Sequence, residues 1–249
     1  MFVEENYAPE RLAYIRTDCG CKAELDLEAW LEAMHTQALS GYEATDPHDA
    51  AFAVYTSGTT GEPKGVLHEY GNLARSIRSM QLEGNVMFRK GIFRPYASPL
   101  TFVAAVIALV AMLWADHARM YIVPYATAKD PEAFVRLFEE FGCNMLFLSP
   151  SYARVLGPRL TRYLKVLVLA SEPANGFYLP GPDIRNFYGS SETLFLVGTF
   201  KLDRAYDTAP IGKPLFDLEV RLLDEDGREV PDGEVGEITY ESQIGRSHV

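Results

Sequence analysis

Short runs of β-branched and aromatic residues alternate along the chain with longer stretches whose apolar positions recur at helical spacing. Pro9 to Asp18 places Leu12, Ala13 and Ile15 at that spacing and predicts a helix. Leu27 to Leu39 repeats the pattern behind Asp26, a suitable N-cap, and Lys22 to Leu25 between them fits a short strand. Ala51 to Tyr55 reads AFAVY and predicts a buried strand, followed by a loop rich in Gly, Ser and Thr that runs to Pro63. A brief strand, Lys64 to Leu67, then leads into a helix, Tyr70 to Glu83. Further strands are expected at Phe93 to Ala97, Met120 to Val123, Asn144 to Leu148 and Lys165 to Leu169. Helices at Phe102 to Ala115, Pro131 to Phe141 and Ser151 to Leu156 separate them.

This alternation predicts an α/β fold, a mostly parallel layered sheet with crossover helices. From about Leu202 the texture changes to strand, turn, strand: LEVRLL, then a turn at Asp224 to Gly227, then EVGEITY. The expected division is an α/β unit over residues 1–204 and a small β-rich, barrel-like segment over residues 205–249, with the boundary near Asp203 to Thr208 and no internal repeat.

With 48% apolar and 23% charged residues over 249 positions, the chain can bury a core and is not a disordered polymer. Its 23 Lys and Arg against 34 Asp and Glu leave a net charge of −11, without a basic cluster, which repels a polyanion; nucleic acid is excluded as an expected partner. Cys19, Cys21 and Cys143 are odd in number and lack paired C-x-x-C spacing, so they read as reduced thiols of the cytoplasm. The first residues offer no basic region followed by an apolar stretch, so no signal peptide is expected. Pro95 to Ala115 is free of charge, yet Ser98, Pro99 and Thr101 leave only Phe102 to Ala115 as the apolar run. A helix of that length spans about 21 Å against about 30 Å of hydrocarbon, which predicts a core helix and no membrane span.

The strongest chemical signal is TSGTTGEPKG, Thr56 to Gly65, set between two strands. Its three glycines and one proline at fixed positions coincide by chance at roughly 2 in 10⁵ per start site. Gly58, Gly61 and Gly65 can adopt positive φ and let backbone N–H groups converge into an anion nest. The hydroxyls of Thr56, Ser57, Thr59 and Thr60 add donors, and Lys64 adds a cation for phosphate oxygens. The bland alternative is a flexible polar surface loop. A common NTPase P-loop would need glycine at position 63 and a hydroxyl at position 65, where this chain has Pro63 and Gly65. No G-x-G-x-x-G occurs, and Gly189 to Thr193 misses the fifth position of a G-x-S-x-G elbow.

At Thr56 to Gly65 the sequence resembles the adenylate-forming, or AMP-binding, enzymes: acyl-CoA synthetases, peptide-synthetase adenylation domains and luciferases. A second match, NFYGSSET over Asn186 to Thr193, is similar to the family's N-x-Y-G-x-T-E segment, with Ser191 where threonine is usual. A third, Pro210 to Ile238, resembles a stretch that in the family forms barrel strands and a turn. ASEP, Ala170 to Pro173, and Glu5 to Lys22 are weaker matches. The resemblance implies that Thr56, Ser57, Gly58, Thr59, Thr60, Gly61 and Lys64 hold phosphates, that Ser171, Glu172 and Pro173 border adenine, and that Asn186, Phe187, Tyr188, Gly189 and Ser191 continue the nucleotide site. Within that set it puts the Tyr188 ring against adenine and Glu192, with Thr56, on Mg²⁺. Lys64 and Glu192 would carry the chemistry: a carboxylate attacks the α-phosphate of ATP, giving an acyl-adenylate and pyrophosphate, and a thiol of CoA or of a carrier protein's phosphopantetheine then takes the acyl group. Lys64, the loop donors and the ion would stabilise charge on the departing pyrophosphate. The implied class is a ligase whose partners are ATP, a small carboxylic acid and a carrier protein or complementing domain.

Several positions depart from the family pattern. Family chains run to more than twice this length, and the Y-x-T-G-D segment that holds the ribose and the small C-terminal domain with its lysine have no counterpart here. Residues 1–204 are accordingly expected to be an incomplete nucleotide-binding subdomain and 205–249 part of an incomplete barrel, ending in ESQIGRSHV as a fragment would, with little activity alone. The competing reading is an inactive fragment or remnant that serves as a nucleotide-binding or interaction module. Gly176, Pro180, Gly181 and Pro182 predict no helix between Pro173 and Asn186, which reshapes the acyl pocket. ASPLTFVAAV, Ala97 to Val106, lacks the aspartate with which amino-acid-activating members pair an α-ammonium, favouring an aryl or aliphatic acid. His68 reads as a locally packed residue at a helix start, and Tyr96, Phe102 and Trp114 as core. Glu172 stays open between a nucleotide contact and a solvated turn, and Asp224 to Gly227 reads as a hairpin turn.

Overall fold

The computed structural model describes residues 7–24, 28–29, 32, 45–57, 62–82, 86, 89–114, 117–194, 197–214, 218–242 and 247–248. After a helix, Pro9–Asp18, come β1 (Ala50–Ser57), β2 (Pro63–Glu69) and a helix, Tyr70–Leu82. Then follow β3 (Phe93–Tyr96), the Val103–Trp114 helix, β4 (Arg119–Ile122), a short helix at Tyr125–Lys129, the Pro131–Phe141 helix and β5 (Met145–Leu148). The Pro150–Leu160 helix leads to β6 (Val166–Leu169), β7 (Asp183–Tyr188), β8 (Gly198–Leu202), β9 (Lys213–Pro214), β10 (Leu218–Leu223), β11 (Glu237–Ser242) and β12 (Ser247–His248).

The central sheet has the order β5-β6-β7-β8-β9. β5, β6 and β7 pair in parallel, and β8 and β9 are added antiparallel. All four residues of β6 are buried, as a strand covered on both faces requires. The two-residue period of the strand divides them: Leu167 and Leu169 join Phe134, Phe138, Leu156 and Ile184 in one core layer, while Val166 and Val168 join Met145, Ile107, Val66 and Phe187 in the other. The first layer is closed by the Pro131–Phe141 helix, capped by the Asp130 carboxylate on the Glu132 and Ala133 amides and ended at Gly142 with φ 66°. The parallel β3–β4 pair adjoins β5 through Asn144, whose amide donates to the Phe93 carbonyl at 2.8 Å. A second sheet, β1-β2-β12, lies against the other core layer through Val54 and Val66. The α/β class with layered sheets and crossover helices is the one the sequence predicts, but the pairing is mixed rather than mostly parallel: among the described strands only β3–β4, β5–β6 and β6–β7 pair in parallel.

The structure corrects several local expectations. Lys22–Glu24 is irregular, because Gly20 at φ 59° and the Cys21 amide on the Arg16 carbonyl cap the preceding helix, and Arg16 then binds Glu24. Asp26 and most of Leu27 to Leu39 lie outside the described residues. Of Ala51 to Tyr55 only Val54 is buried, since β1 meets the core with one face. Phe102 is 36% exposed rather than core, sitting ahead of the Val103–Trp114 helix; Tyr96 is buried, and the Trp114 side chain lies outside the described residues. The Asp224–Gly227 turn does not join β10 to β11. It returns the chain to a bridge between Glu229 and Leu223, and a second turn, at Pro231 to Glu234, precedes β11. Strands β7 and β8 and the Tyr125–Lys129 helix are additions that the periodicity did not predict.

None of the helices among the described residues is long and apolar enough to cross a membrane. The Val103–Trp114 helix instead buries Val103, Ala104, Ala105, Ile107 and Ala108. Beneath it Arg94 is 3% exposed, donates to the Ala108 carbonyl and leaves Nε unpaired. No carboxylate among the described residues pairs with it, and burial pulls its pKa down to about 10. A buried cation without a counter-ion costs more than an apolar side chain of similar length. Arg94→Met is therefore expected to raise unfolding stability by about 1–2 kcal/mol in a denaturant titration. A decrease would show that the bond to Ala108 outweighs the desolvation.

Candidate functional site

Parallel strands open a crevice at their carboxyl ends. Here the β6–β7 register, which sets Leu169 beside Asn186, brings together two segments far apart in sequence. Ser171, Glu172 and Pro173 after β6 and Asn186, Phe187, Tyr188 and Gly189 at the end of β7 line one cavity of ≈ 420 Å³. Asn175, Thr208, Ala209 and Ile211 complete it. Those four were not among the residues expected at the site. The available signal was Pro210 to Pro214, read as structural although it runs along the rim.

Hydrogen bonds lace this rim to the sheet. The buried Asn186 side chain donates to the Pro210 carbonyl at 2.9 Å, the Ala209 amide donates to Asn175 Oδ1 at 2.8 Å, and the Gly176 amide donates to the Tyr206 carbonyl at 2.7 Å. Ser171 is held at φ 74°, an uncommon conformation for a residue with a Cβ, at a cost of about 1–2 kcal/mol. The Glu172 carboxylate accepts from the Ser151 amide at 3.1 Å and from the Ser151 hydroxyl, at the start of the Pro150–Leu160 helix. Those bonds hold its pKa below the usual carboxylate value. Its side chain caps a helix at the cavity's edge while the residue remains part of the cavity lining. Tyr188 is 38% exposed and borders the cavity.

Beyond Gly189 the chain makes a tight turn. The Ser190 amide donates to Thr193 Oγ1 at 2.8 Å, Thr193 Oγ1 donates to the Ser190 carbonyl at 3.0 Å, and the Val197 amide donates to the Tyr188 carbonyl at 2.7 Å. Leu194 is left-handed at φ 55° and fully buried. Ser191 and Glu192 are half-buried in this turn. Tyr240 of β11 stands beside Glu192 and Tyr188; burial pushes its pKa up, against a hydrogen bond with Ser190.

The loop that reads as a phosphate nest joins β1 to β2. Gly58, Thr59, Thr60 and Gly61 lie outside the described residues. The ladder pairs Thr56 with Lys64 and Ser57 with Pro63, so both ends of the loop are fixed by antiparallel pairing. Thr56 Oγ1 donates to the Lys64 carbonyl at 3.5 Å, and Lys64 is exposed. Gly65 is not at positive φ as the sequence suggested. It lies in β2, and a Cβ there would press on the Tyr55 ring at 3.0 Å. That ring is anchored by its hydroxyl, which donates to Asp18 at 2.7 Å; burial and this bond raise the phenol's pKa.

His68, expected at a helix start with local packing, is a fully buried residue of β2 with a long-range partner. Its Nε2 lies 2.8 Å from the Ser191 carbonyl, and its Nδ1 lies 3.1 Å from Asn72 Nδ2. Arg75 donates to Asn72 Oδ1 at 2.7 Å, which leaves the Asn72 amide nitrogen for His68. Nδ1 is therefore the acceptor and Nε2–H the donor to Ser191. Burial lowers the His68 pKa and favours this neutral ring.

No group of three His, Cys, Asp or Glu side chains among the described residues could cage a metal ion. Glu192 is a half-buried carboxylate, and Mg²⁺ is a hard cation that can be held through one carboxylate with its remaining ligands from substrate and water.

A family model described as AMP-binding enzyme matches residues 26–244. The chain is 27% identical over 271 residues to bacitracin synthase 1 of Bacillus licheniformis, covering 99% of this chain and 5% of that protein. It is 32% identical over 213 residues to the β-alanyl-bioamine nonribosomal peptide synthetase ebony of Drosophila melanogaster, covering 76% of this chain and 24% of that one. It thus spans at most about a quarter of either relative. Among solved structures, the NpsA N-terminal subdomain of Klebsiella oxytoca in complex with 3-hydroxyanthranilyl-AMSN superposes with a TM-score of 0.78 at 20% identity, over 98% of this chain and 68% of that one. The fold agrees with that subdomain, and the match over most of the length makes the chain a member of the AMP-binding enzyme family.

Proposed function

We propose that this chain is the nucleotide-binding portion of an AMP-forming carboxylate ligase, which activates a carboxylic acid as its acyl-adenylate and passes the acyl group to a thiol, that of a carrier-protein pantetheine or of CoA. The observation that carries this reading is the single cavity at the ends of β6 and β7. Two separate candidate motifs border it, and the Glu192 turn continues from one of them. In this reading adenine lies between the Ser171–Pro173 segment and the Tyr188 ring, and Asn186 holds the rim through Pro210. Thr56, Ser57, Lys64 and the loop between them take the β- and γ-phosphates, and Glu192 with Thr56 would hold Mg²⁺ there. The ion supplies charge neutralisation for the leaving pyrophosphate. Lys64 adds a fixed cation, and no general base is required because the attacking carboxylate is already ionised.

The acid is read as aryl or aliphatic, since Ala97 to Val106 offers no aspartate for an α-ammonium. The complex of the similar NpsA subdomain carries a 3-hydroxyanthranilyl group, which is in keeping with an aryl acid. The three cysteines, unpaired with one another, suit a reducing cytoplasm. Calorimetry with Mg·ATP and with AMP tests the site, and saturable binding of both is expected. Carboxylate-dependent exchange of pyrophosphate into ATP tests the chemistry. Binding without exchange favours the non-catalytic module, and folded protein that binds neither nucleotide at millimolar concentration refutes the reading.

A further inference from the structure

β2 leaves the phosphate loop at Pro63, and the two-residue period of a strand puts Lys64, Val66 and His68 on one face. Val66 packs in the same core layer as Phe187 and Leu194, so that face looks onto the end of β7 and the turn after it. His68 makes a polar contact between the two. Its ring reaches across 123 positions of sequence to the Ser191 carbonyl, one residue before Glu192.

We propose that His68 is a positioning residue: by donating Nε2–H to Ser191 it locks the Glu192 turn to the β1–β2 hairpin, so that Thr56 and Lys64 on that hairpin and the metal-binding carboxylate meet the nucleotide as one preorganised unit. This rests on the reading of Glu192 as the magnesium ligand. Two further contacts of the ring support that bond. Phe52 stacks on it at 4.9 Å between centroids, which fixes its plane. Asn72, itself oriented by Arg75, occupies Nδ1 and so directs the proton to Nε2. The turn that receives the bond carries strain at left-handed Leu194, and a strained turn keeps its shape only where surrounding contacts over-determine it. The Ser191 carbonyl also accepts from the Leu194 amide at 3.3 Å, so the His68 donor acts on the residue pair that brackets Glu192.

His68→Phe keeps the ring volume and the stacking on Phe52 but removes the donor, whereas His68→Gln can restore a donor near the Nε2 position. Mg·ATP, ATP with excess EDTA, and AMP are titrated into each protein by calorimetry, and amide hydrogen exchange is followed at Ser191 to Leu194 without nucleotide. We expect His68→Phe to weaken Mg·ATP roughly fivefold while AMP and metal-free ATP change less than twofold. His68→Gln should recover most of the loss, and the turn's amides should exchange faster in His68→Phe alone. Equal weakening of all three ligands, or no recovery with glutamine, would reduce His68 to core packing and overturn the proposal. Should the wild-type protein bind nucleotide without regard to magnesium, it is the assignment of Glu192 that fails. The exchange experiment then decides the positioning contact by itself: unchanged protection in His68→Phe overturns it, and faster exchange confined to the turn upholds it.

Discussion

Gly212→Ala is expected to destabilise the chain by roughly 3 kcal/mol or more, a large share of the about 5–15 kcal/mol that keeps a domain folded. Gly212 lies at φ 97°, and a Cβ built there falls 2.0 Å from the Thr199 carbonyl oxygen and 2.8 Å from the Phe200 nitrogen. Both atoms are backbone of β8, so no side chain can swing away. The reverse face of the contact is also close, though less so, since a Cβ on Gly198 would sit 3.0 Å from the Lys213 oxygen. Two glycines thus let β8 and the Pro210 to Pro214 segment approach at backbone distance, and that approach delivers Pro210 to Asn186 and Ile211 to the cavity. Gly227→Ala separates this steric cause from simple conformational strain: Gly227 has φ 77° but nothing within 4 Å of its Cβ position. It should cost only about 1–2 kcal/mol. Urea titrations of both variants decide the matter, and similar losses would mean that positive φ, not the crossing of backbones, sets the requirement. Gly212→Ala should also bind AMP more weakly, because the cavity's rim at Ala209 and Ile211 moves with Pro210.

What the sequence made legible follows the range of each interaction. The loop at Thr56 to Gly65 was readable because an anion nest asks for particular residue types at fixed local spacing. Strands such as β5 and β6 were readable because both faces are buried and the run is wholly apolar. β7 was not, although it borders the cavity. Its sequence, DIRNFY, carries two charges that pair with each other, Asp183 with Arg185 at 2.8 Å, and the buried amide of Asn186, so period-2 hydrophobicity is hidden. The Pro210 carbonyl, 24 positions away, accepts from that amide and helps to make it tolerable inside. His68 was misread for the same reason, since its partner Ser191 is set by tertiary structure. Gly65 was assigned to the right element for the wrong cause: its neighbour is the Tyr55 ring across the ladder, which no local rule about loops would name.

Lys64→Ala should separate the two ends of the nucleotide. Lys64 opens β2 opposite Thr56, at the exit of the phosphate loop and on the strand face that carries Val66 and His68 toward the Glu192 turn. Along the strand it lies about 13 Å from His68. A cation there can meet the outer phosphates but not the AMP moiety seated between Ser171 to Pro173 and Tyr188. Mg·ATP and inorganic pyrophosphate are therefore expected to bind roughly tenfold to a hundredfold more weakly, and AMP within about twofold of wild type, in parallel calorimetric titrations. Because Lys64 is exposed, the wild-type preference for ATP over AMP should shrink as salt is raised, and Lys64→Ala should remove most of that salt dependence. Lys64→Arg keeps the charge and should recover affinity in part, with the shortfall reporting how closely the ammonium is fitted to one oxygen. Equal losses for ATP and AMP would place the lysine beside the α-phosphate or the sugar. A normal preference for ATP in Lys64→Ala would mean that the backbone amides of the loop and the metal ion suffice, and the nest itself would then be the dominant phosphate contact.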